Sequence, residues 1–339
     1  MNLFLLLDEA VMGYKYVFGP VFSGRLGRSL GLDLLGSRIC SMDCVYCEVG
    51  KTDVLTCERK AYVPAADILR ELERWKGEGH ELPDVITLGG LGEPTLNSEM
   101  PEIVRGVKTL FPSMDVAVLT NSVTLTDPEV RKELLEVDVV LPSMDSLIAS
   151  EFRAINRPCR GVEPQAVAKA LIEFRKEFKG KIFLEVLLSR GYNDSDENLA
   201  EMKAFCTELG PDRIDVVTLS RPGTLDKAGP VDSGTLGRWK KALDAAPSKN
   251  RDCGPETGVK DRSGTDNSAH VLGEVSDAFD RIQASLMRRP QTAQQLSGAL
   301  GIPLCEVERA IGELEKCGRL HIRQTGDDLY YDCRLDVDS

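Results

Sequence analysis

The segment Cys40-Ser41-Met42-Asp43-Cys44-Val45-Tyr46-Cys47 constrains this chain more than any other. Three thiolates on one short loop can converge on a single metal centre. Thiolate is a soft ligand that selects zinc, copper(I) or iron–sulfur clusters, and a four-coordinate structural zinc wants a fourth Cys or His close by. The next candidates are Cys57 and His80, so a zinc knuckle lacks an evident fourth ligand. A 4Fe-4S cube can be held by three cysteines, which leaves one iron open for a small-molecule ligand.

The chain around that loop reads as alternating strands and helices. Leu32-Asp33-Leu34-Leu35 reads as the strand that delivers it, after a Gly- and Arg-rich run over 24–31 that is either loop or an anion site. Pro64 opens a helix with Ile68, Leu69, Leu72 and Trp75 on one stripe. The pattern continues with strand 84–88, a helix carrying Ile103, Val104 and Val107, strand 116–120, helix 127–135 and strand 137–141. A helix centred on 167–172, strand 182–188, helix 198–206, strand 214–219 and a helix near 236–243 complete it. Six such units predict a parallel sheet covered by helices, an α/β fold built as a partial (β/α)6 TIM-like barrel in which loops after the strands do the chemistry. A doubly wound sheet is the alternative and would place the same loops at one edge.

A length of 339 residues predicts two domains. Residues 247–273 are polar with few apolar side chains and read as a linker, dividing a core over 1–246 from a unit over 274–339. In the latter, Phe279, Ile282 and Leu286 mark one helix, Thr292 caps a second and Pro303 starts a third that Gly318 stops. Residues 320–332 then alternate and turn as a hairpin. Three helices and a hairpin make a winged-helix-like domain, a fold that commonly binds DNA. Its third helix, however, carries Glu306, Glu308, Glu313 and Glu315 against Arg309 and Lys316, and residues 274–339 hold eight Lys/Arg against twelve Asp/Glu. That face repels phosphate, so protein contact or substrate docking is favoured over nucleic acid.

The net charge of −12 argues against broad adhesion to nucleic acid or anionic lipid. Leu3–Leu7 is too short for a membrane span and has no basic flank for a signal peptide. Ten cysteines without such a signal read as reduced thiols and metal ligands, with the cytoplasm as the expected compartment and no membrane partner.

The C-x3-C-x2-C spacing with Tyr46 before the third cysteine resembles the cluster loop of radical S-adenosylmethionine (radical SAM) enzymes, and Gly89-Gly90-Leu91-Gly92-Glu93-Pro94 resembles their glycine-rich "GGE" motif. It is not a Walker loop, since no Gly-Lys-Ser/Thr follows. The resemblance spans about 18–243 and implies a six-stranded barrel, a 4Fe-4S cluster on Cys40, Cys44 and Cys47, and S-adenosylmethionine held by Gly89, Gly90, Gly92 and Glu93. It also implies cofactor contacts from Asn121, in Thr120-Asn121-Ser122, and from Ser143, in Ser143-Met144-Asp145, although such short polar residues also serve as caps and turns.

Glu185 interrupts an apolar strand and is expected to face the barrel interior as part of the cofactor site. The basic stretch 152–160 after the fourth strand either offers one of Arg153, Asn156, Arg157 and Arg160 to pair with Glu185 or with a substrate anion, or is a solvated loop. No catalytic residue is assigned. The lead-in before the cysteines and Asn156-Arg157-Pro158 are similar to the branch grouped with wyosine-forming tRNA enzymes, but the chain lacks cysteines before Cys40 for an extra cluster.

The implied activity is reductive cleavage of S-adenosylmethionine to a 5′-deoxyadenosyl radical that abstracts hydrogen from a substrate, with a peptide or protein as the first expectation. The implied partner is a one-electron donor such as flavodoxin or ferredoxin. A tRNA base modification is the runner-up, and an iron–sulfur or S-adenosylmethionine-binding regulator with a DNA-binding winged helix comes from a different class.

Overall fold

In the computed structural model, residues 14–23, 25–225, 227–244, 274–288, 290–325 and 328–333 are described. The expected linker and the N-terminal apolar run lie outside them.

Six strands pair in parallel: β2 (Gly27–Asp33), β5 (Val85–Gly89), β6 (Asp115–Thr120), β7 (Val139–Pro142), β8 (Lys181–Leu188) and β9 (Arg213–Thr218). β1 (Val17–Ser23) adds an antiparallel strand outside β2. The sheet runs in the order β1-β2-β5-β6-β7-β8-β9 without closing on itself, the open partial barrel expected from six βα units. A separate two-stranded parallel pair joins β3 (Ile39–Cys40) to β4 (Val54–Leu55).

Helices α1 (Ala65–Gly77), α2 (Met100–Leu110), α3 (Pro128–Glu133), α4 (Ala149–Asn156), α5 (Pro164–Glu177), α6 (Asp196–Leu209) and α7 (Ser233–Asp244) fill the connections. Their starts follow from local chemistry. Proline occupies the first turn of α2, α3 and α5, where its missing N–H forfeits nothing. The Asp127 and Ser195 side chains cap α3 and α6 by accepting backbone N–H groups.

The period of two along each strand separates two environments. Leu30, Leu32, Ile86, Leu88, Val116, Val118, Val140, Ile182, Leu184 and Val186 face the helices in the main core. Val85, Ala117, Val139 and Leu141 form a second, smaller cluster with Leu119 and Phe183 on the opposite face. Glu185, two residues after Phe183, shares that interior face, as expected.

Three expectations change. The glycine–arginine run is partly strand, because β2 begins at Gly27 and ends at Asp33, so Leu34 and Leu35 lie beyond it. A glycine suits a strand here because a Cβ on Gly31 would occupy the Phe18 ring of β1. The antiparallel β1 itself was not anticipated. Residues 149–156 form α4, with Phe152 and Ile155 buried beneath it, so the first half of the basic stretch 152–160 is helix rather than solvated loop.

The C-terminal residues form α8 (Glu274–Arg288), α9 (Ala293–Leu300), α10 (Leu304–Lys316), β10 (Leu320–Thr325) and β11 (Asp328–Cys333), the last two an antiparallel pair. Thr292 and Gln295 form a capping box at α9. Left-handed Gly301 and Gly318 follow the ends of α9 and α10. Ile282, Leu286, Leu296, Leu300, Val307, Ile311 and Leu314 make a core of their own, against which Val21 of β1 packs. Tyr330 Oη donates to the Ser220 carbonyl at 2.8 Å, and Arg221 Nε donates to Gln295 Oε1 at 3.1 Å, so this unit adjoins the loop after β9.

Candidate functional site

Because β2 and β5 to β9 run in parallel, the residues that follow them gather at one rim. The cysteine loop follows β2, the glycine loop β5, Asn121-Ser122 β6, Ser143-Met144-Asp145 β7 and Ser220–Thr224 β9.

The cysteine loop is held from three sides. Val45 N–H donates to Ile155 O at 2.9 Å and Asp43 N–H to Asn156 O at 3.1 Å. The loop thereby satisfies carbonyls that the C-terminus of α4 leaves without intrahelical partners. Arg157, in the left-handed conformation at φ 44°, then turns its guanidinium onto the Asp43 carbonyl at 2.5 Å and carboxylate at 2.8 Å. Cys159 N–H completes this side by donating to Ser41 O at 2.9 Å. On the second side, Thr56 N–H donates to Cys40 O at 2.9 Å. On the third, Thr224 Oγ1 donates to Cys44 O at 2.9 Å, and a Cβ on Gly223 would sit 2.5 Å from Val45 O. Arg221 pairs with Glu48, the residue after Cys47, at 2.8 Å.

Behind the thiols lies a buried polar unit that sequence reading did not resolve. Asp145 Oδ2 accepts from Tyr46 Oη at 2.5 Å and from Asn156 Nδ2 at 2.6 Å, while Oδ1 accepts from Leu187 N–H at 2.9 Å. Asn156 Nδ2 also lies 3.5 Å from Cys44 Sγ. Burial pushes the Asp145 carboxyl above its usual range, and its donors pull it back. Sequence reasoning picks out Ser143 in Ser143-Met144-Asp145, whereas the acid two residues later, at the end of an apolar strand, is the signal that marks this buried unit. Asp145→Ala would leave buried donors without an acceptor, and is expected to destabilise the protein by about 2–4 kcal/mol in denaturant unfolding.

Asn121 sits on the opposite flank. Its Nδ2 is 3.3 Å from Cys40 Sγ, and its Oδ1 accepts from Ser41 Oγ at 3.1 Å and Val123 N–H at 3.2 Å. Ser122 follows with φ 70°, a strained conformation for a residue with a Cβ. Its buried Oγ has no hydrogen-bond partner, and neither does Asn156 Oδ1.

The Glu93 carboxylate faces inward rather than into open space. Oε1 accepts from Thr95 Oγ1 at 2.5 Å and Thr120 Oγ1 at 2.7 Å, and Oε2 from Asn121 N–H at 2.6 Å. Burial raises its pKa, while these donors lower it. Gly92 lies against the Ile39 carbonyl, and Gly90, at φ 117°, against Asp33, where a Cβ would come within 2.8 Å of the carboxylate. Glu93 thus ties the glycine loop to the end of β6, and the glycines let that loop lie on the cysteine loop's lead-in.

Glu185 pairs with Arg25, from the turn between β1 and β2, and not with the Arg153–Arg160 stretch. In that stretch Arg153 turns to Glu163 and Arg157 to Asp43. Burial raises the Glu185 pKa and Arg25 lowers it. Ser143 bridges to Glu185 through the backbone, continuing the β7–β8 pairing.

Burial pushes all three cysteine thiols above their ordinary range, so a metal charge is what would favour the thiolates. Among the described residues no group of three or more His, Cys, Asp or Glu is gathered around a single ion position. Thiols that each bind a different iron of a cube do not need that close approach, whereas a tetrahedral zinc does. Three thiols with amide groups beside two of them, and two buried polar atoms without partners next to them, fit a cluster with a polar ligand.

An open barrel of six parallel strands with a three-thiol loop at its C-terminal rim defines a class of protein. A family profile described as the radical SAM superfamily matches residues 34–202. The UPF0026 protein of Synechocystis is 39% identical over 189 residues, covering 55% of this chain and 69% of that protein. A Brachyspira hyodysenteriae protein named GTPase Obg is 31% identical over 302 residues, covering 89% of this chain. The chain spans only 42% of the length of the latter. A solved radical SAM methyltransferase from Sphaerobacter thermophilus aligns with a TM-score of 0.49 at 18% identity, covering 64% of this chain and 63% of that one. The chain belongs to the radical SAM superfamily and, within it, to the group of UPF0026 proteins. The superfamily uses a 4Fe-4S cluster and S-adenosylmethionine. No helix among the described residues is long and apolar enough to cross a membrane.

Proposed function

We propose that the chain is a radical SAM enzyme in which Cys40, Cys44 and Cys47 ligate three irons of a 4Fe-4S cluster, while the loop Gly89-Gly90-Leu91-Gly92-Glu93 and residues Asn121 and Ser143 line the place for S-adenosylmethionine. The observation that carries this reading is the convergence of the cysteine loop, the glycine loop and the β6 end at one rim, tied together by Glu93 and Asn121. The bound cofactors supply reductive cleavage of the sulfonium to methionine and a 5′-deoxyadenosyl radical.

The protein's own residues orient and enclose. The glycines let backbone groups approach the ligand without a Cβ in the way. Ser122 Oγ and Asn156 Oδ1, buried without protein partners, offer polar contacts to a bound ligand. Glu185, held by Arg25 on the interior face, adds a charge pair to the lining of the barrel.

The substrate is taken to be a peptide or protein engaged with help from the C-terminal unit, which we read as winged-helix-like on the basis of its three helices and hairpin. Its contacts with Ser220 and Arg221 support a role near the site, and the exposed Glu308, Glu313 and Glu315 of α10 disfavour a nucleic-acid backbone. A one-electron donor such as flavodoxin or ferredoxin supplies the reducing equivalent. The cytoplasm is the proposed compartment, supported by cysteines that are free throughout the described residues.

The test is anaerobic reconstitution with iron and sulfide, reduction with dithionite, and chromatography of products formed from S-adenosylmethionine. Formation of 5′-deoxyadenosine together with methionine is expected. A reduced, cluster-loaded protein that binds S-adenosylmethionine and never cleaves it, with or without candidate peptides, would point to a regulator instead.

A further inference from the structure

The two asparagine amides beside the thiols have fixed orientations, and the chemistry of their partners fixes them. The atom of Asn121 that meets Val123 N–H and Ser41 Oγ must be the acceptor, because a backbone N–H can only donate. Its NH2 therefore faces Cys40 Sγ, at 3.3 Å. The atom of Asn156 that meets Asp145 Oδ2 at 2.6 Å is the donor, because that oxygen already accepts from the Tyr46 hydroxyl at 2.5 Å. The second N–H of that NH2 is shared between Cys44 Sγ, at 3.5 Å, and Tyr46 Oη, at 3.4 Å, whose own proton goes to Asp145. Asn156 is 3% exposed and Asp145 1%, so water does not compete for this arrangement.

Resting on the cluster assignment proposed above, we infer that Asn121 and Asn156 are positioning residues that set the reduction potential of the cluster by donating N–H···S hydrogen bonds to Cys40 and Cys44, with Asp145 aiming the second amide. Adding an electron places more negative charge on the cluster and its thiolates, and a donor aimed at sulfur stabilises that form more than the oxidised one. Removing a donor therefore makes the cluster harder to reduce. The two amides come from different elements, the end of β6 and the end of α4, so each can be removed alone.

The experiment is a spectroscopically monitored redox titration of the reconstituted full chain, without S-adenosylmethionine, comparing the wild type with Asn121→Ala and Asn156→Ala. Iron and sulfide are quantified in every sample. Each substitution is expected to shift the oxidised-to-reduced ratio at a fixed potential toward the oxidised form by about two- to tenfold, which for a one-electron couple is roughly 20–60 mV more negative.

The sign separates this role from simple loosening, since water admitted to a loosened site stabilises the reduced form and moves the potential upward. Unchanged or raised potentials in cluster-loaded variants overturn the inference while the cluster reading stands. A folded variant that holds no iron assigns the amide to assembly and overturns it too. A wild type that takes up no cluster overturns the underlying reading. Asn121→Ala, which leaves the buried Asp145 unit intact, decides the matter if Asn156→Ala does not fold.

Discussion

Cys44→Ala protein, reconstituted anaerobically with iron and sulfide, is expected to hold background iron and to form no 5′-deoxyadenosine. Cys44 is the middle ligand of the proposed set, and its loop is pinned by backbone bonds on either side of it, from Asp43 and Val45 to the end of α4. Pinning prevents the loop from sliding to offer a substitute. Cys47, three residues on, is itself a member of the proposed set. The fold should survive, because Cys44 packs only at the margin of the main core and alanine retains its Cβ. The expected result is therefore complete loss of the cluster with cooperative unfolding close to that of the metal-free wild type. Cluster-level iron in this variant would remove Cys44 from the site.

Gly92→Ala is expected to be among the most disruptive single-methyl additions in the chain. An added Cβ would overlap the Ile39 carbonyl oxygen and also crowd Leu35. Glu93 N–H donates to that same carbonyl at 3.0 Å, so relief requires moving the glycine loop off β3 and breaking this bond. Overpacking alone costs about 1–3 kcal/mol and the lost buried bond about as much again, so destabilisation of about 3 kcal/mol or more is expected in denaturant unfolding. Gly312→Ala is the control. It lies within α10 with open space around the new Cβ, and alanine there is expected to be stabilising by about 0.5–1 kcal/mol. Equal effects at the two positions would contradict the close approach at Gly92.

Much of this architecture was legible from local signals. The period-two and 3.6-residue patterns, with Pro64, Thr292, Pro303 and Gly318 as punctuation, gave the parallel strands, most helices and the C-terminal element order, because those features record which face is buried and where backbone groups lack partners. β1 was missed since its partner surface is created by Gly31, whose value is the space it leaves for Phe18. α4 was missed because a short basic stretch resembles a loop until its carbonyls are seen to receive the cysteine loop.

The gathering of loops at one rim followed from parallel topology and short motifs. The pairings did not. Arg25 with Glu185, and Asp145 with Tyr46 and Asn156, join residues separated by 160, 99 and 11 positions, and nothing in a single sequence states which polar residue a distant one will meet. The Glu93 carboxylate shows the same limit. Its place in the glycine motif was evident, while its role as a tie to Thr95, Thr120 and Asn121 emerges only in three dimensions.

The central claim is that three cysteines bind the cluster and leave one iron for S-adenosylmethionine. Mössbauer spectroscopy of protein reconstituted with 57Fe, before and after addition of S-adenosylmethionine, tests it most directly. The account predicts that one iron of the four changes its isomer shift and quadrupole splitting on addition while the other three stay as they were. A spectrum in which no iron responds to S-adenosylmethionine, or in which iron is bound as something other than a 4Fe-4S cluster, would contradict it.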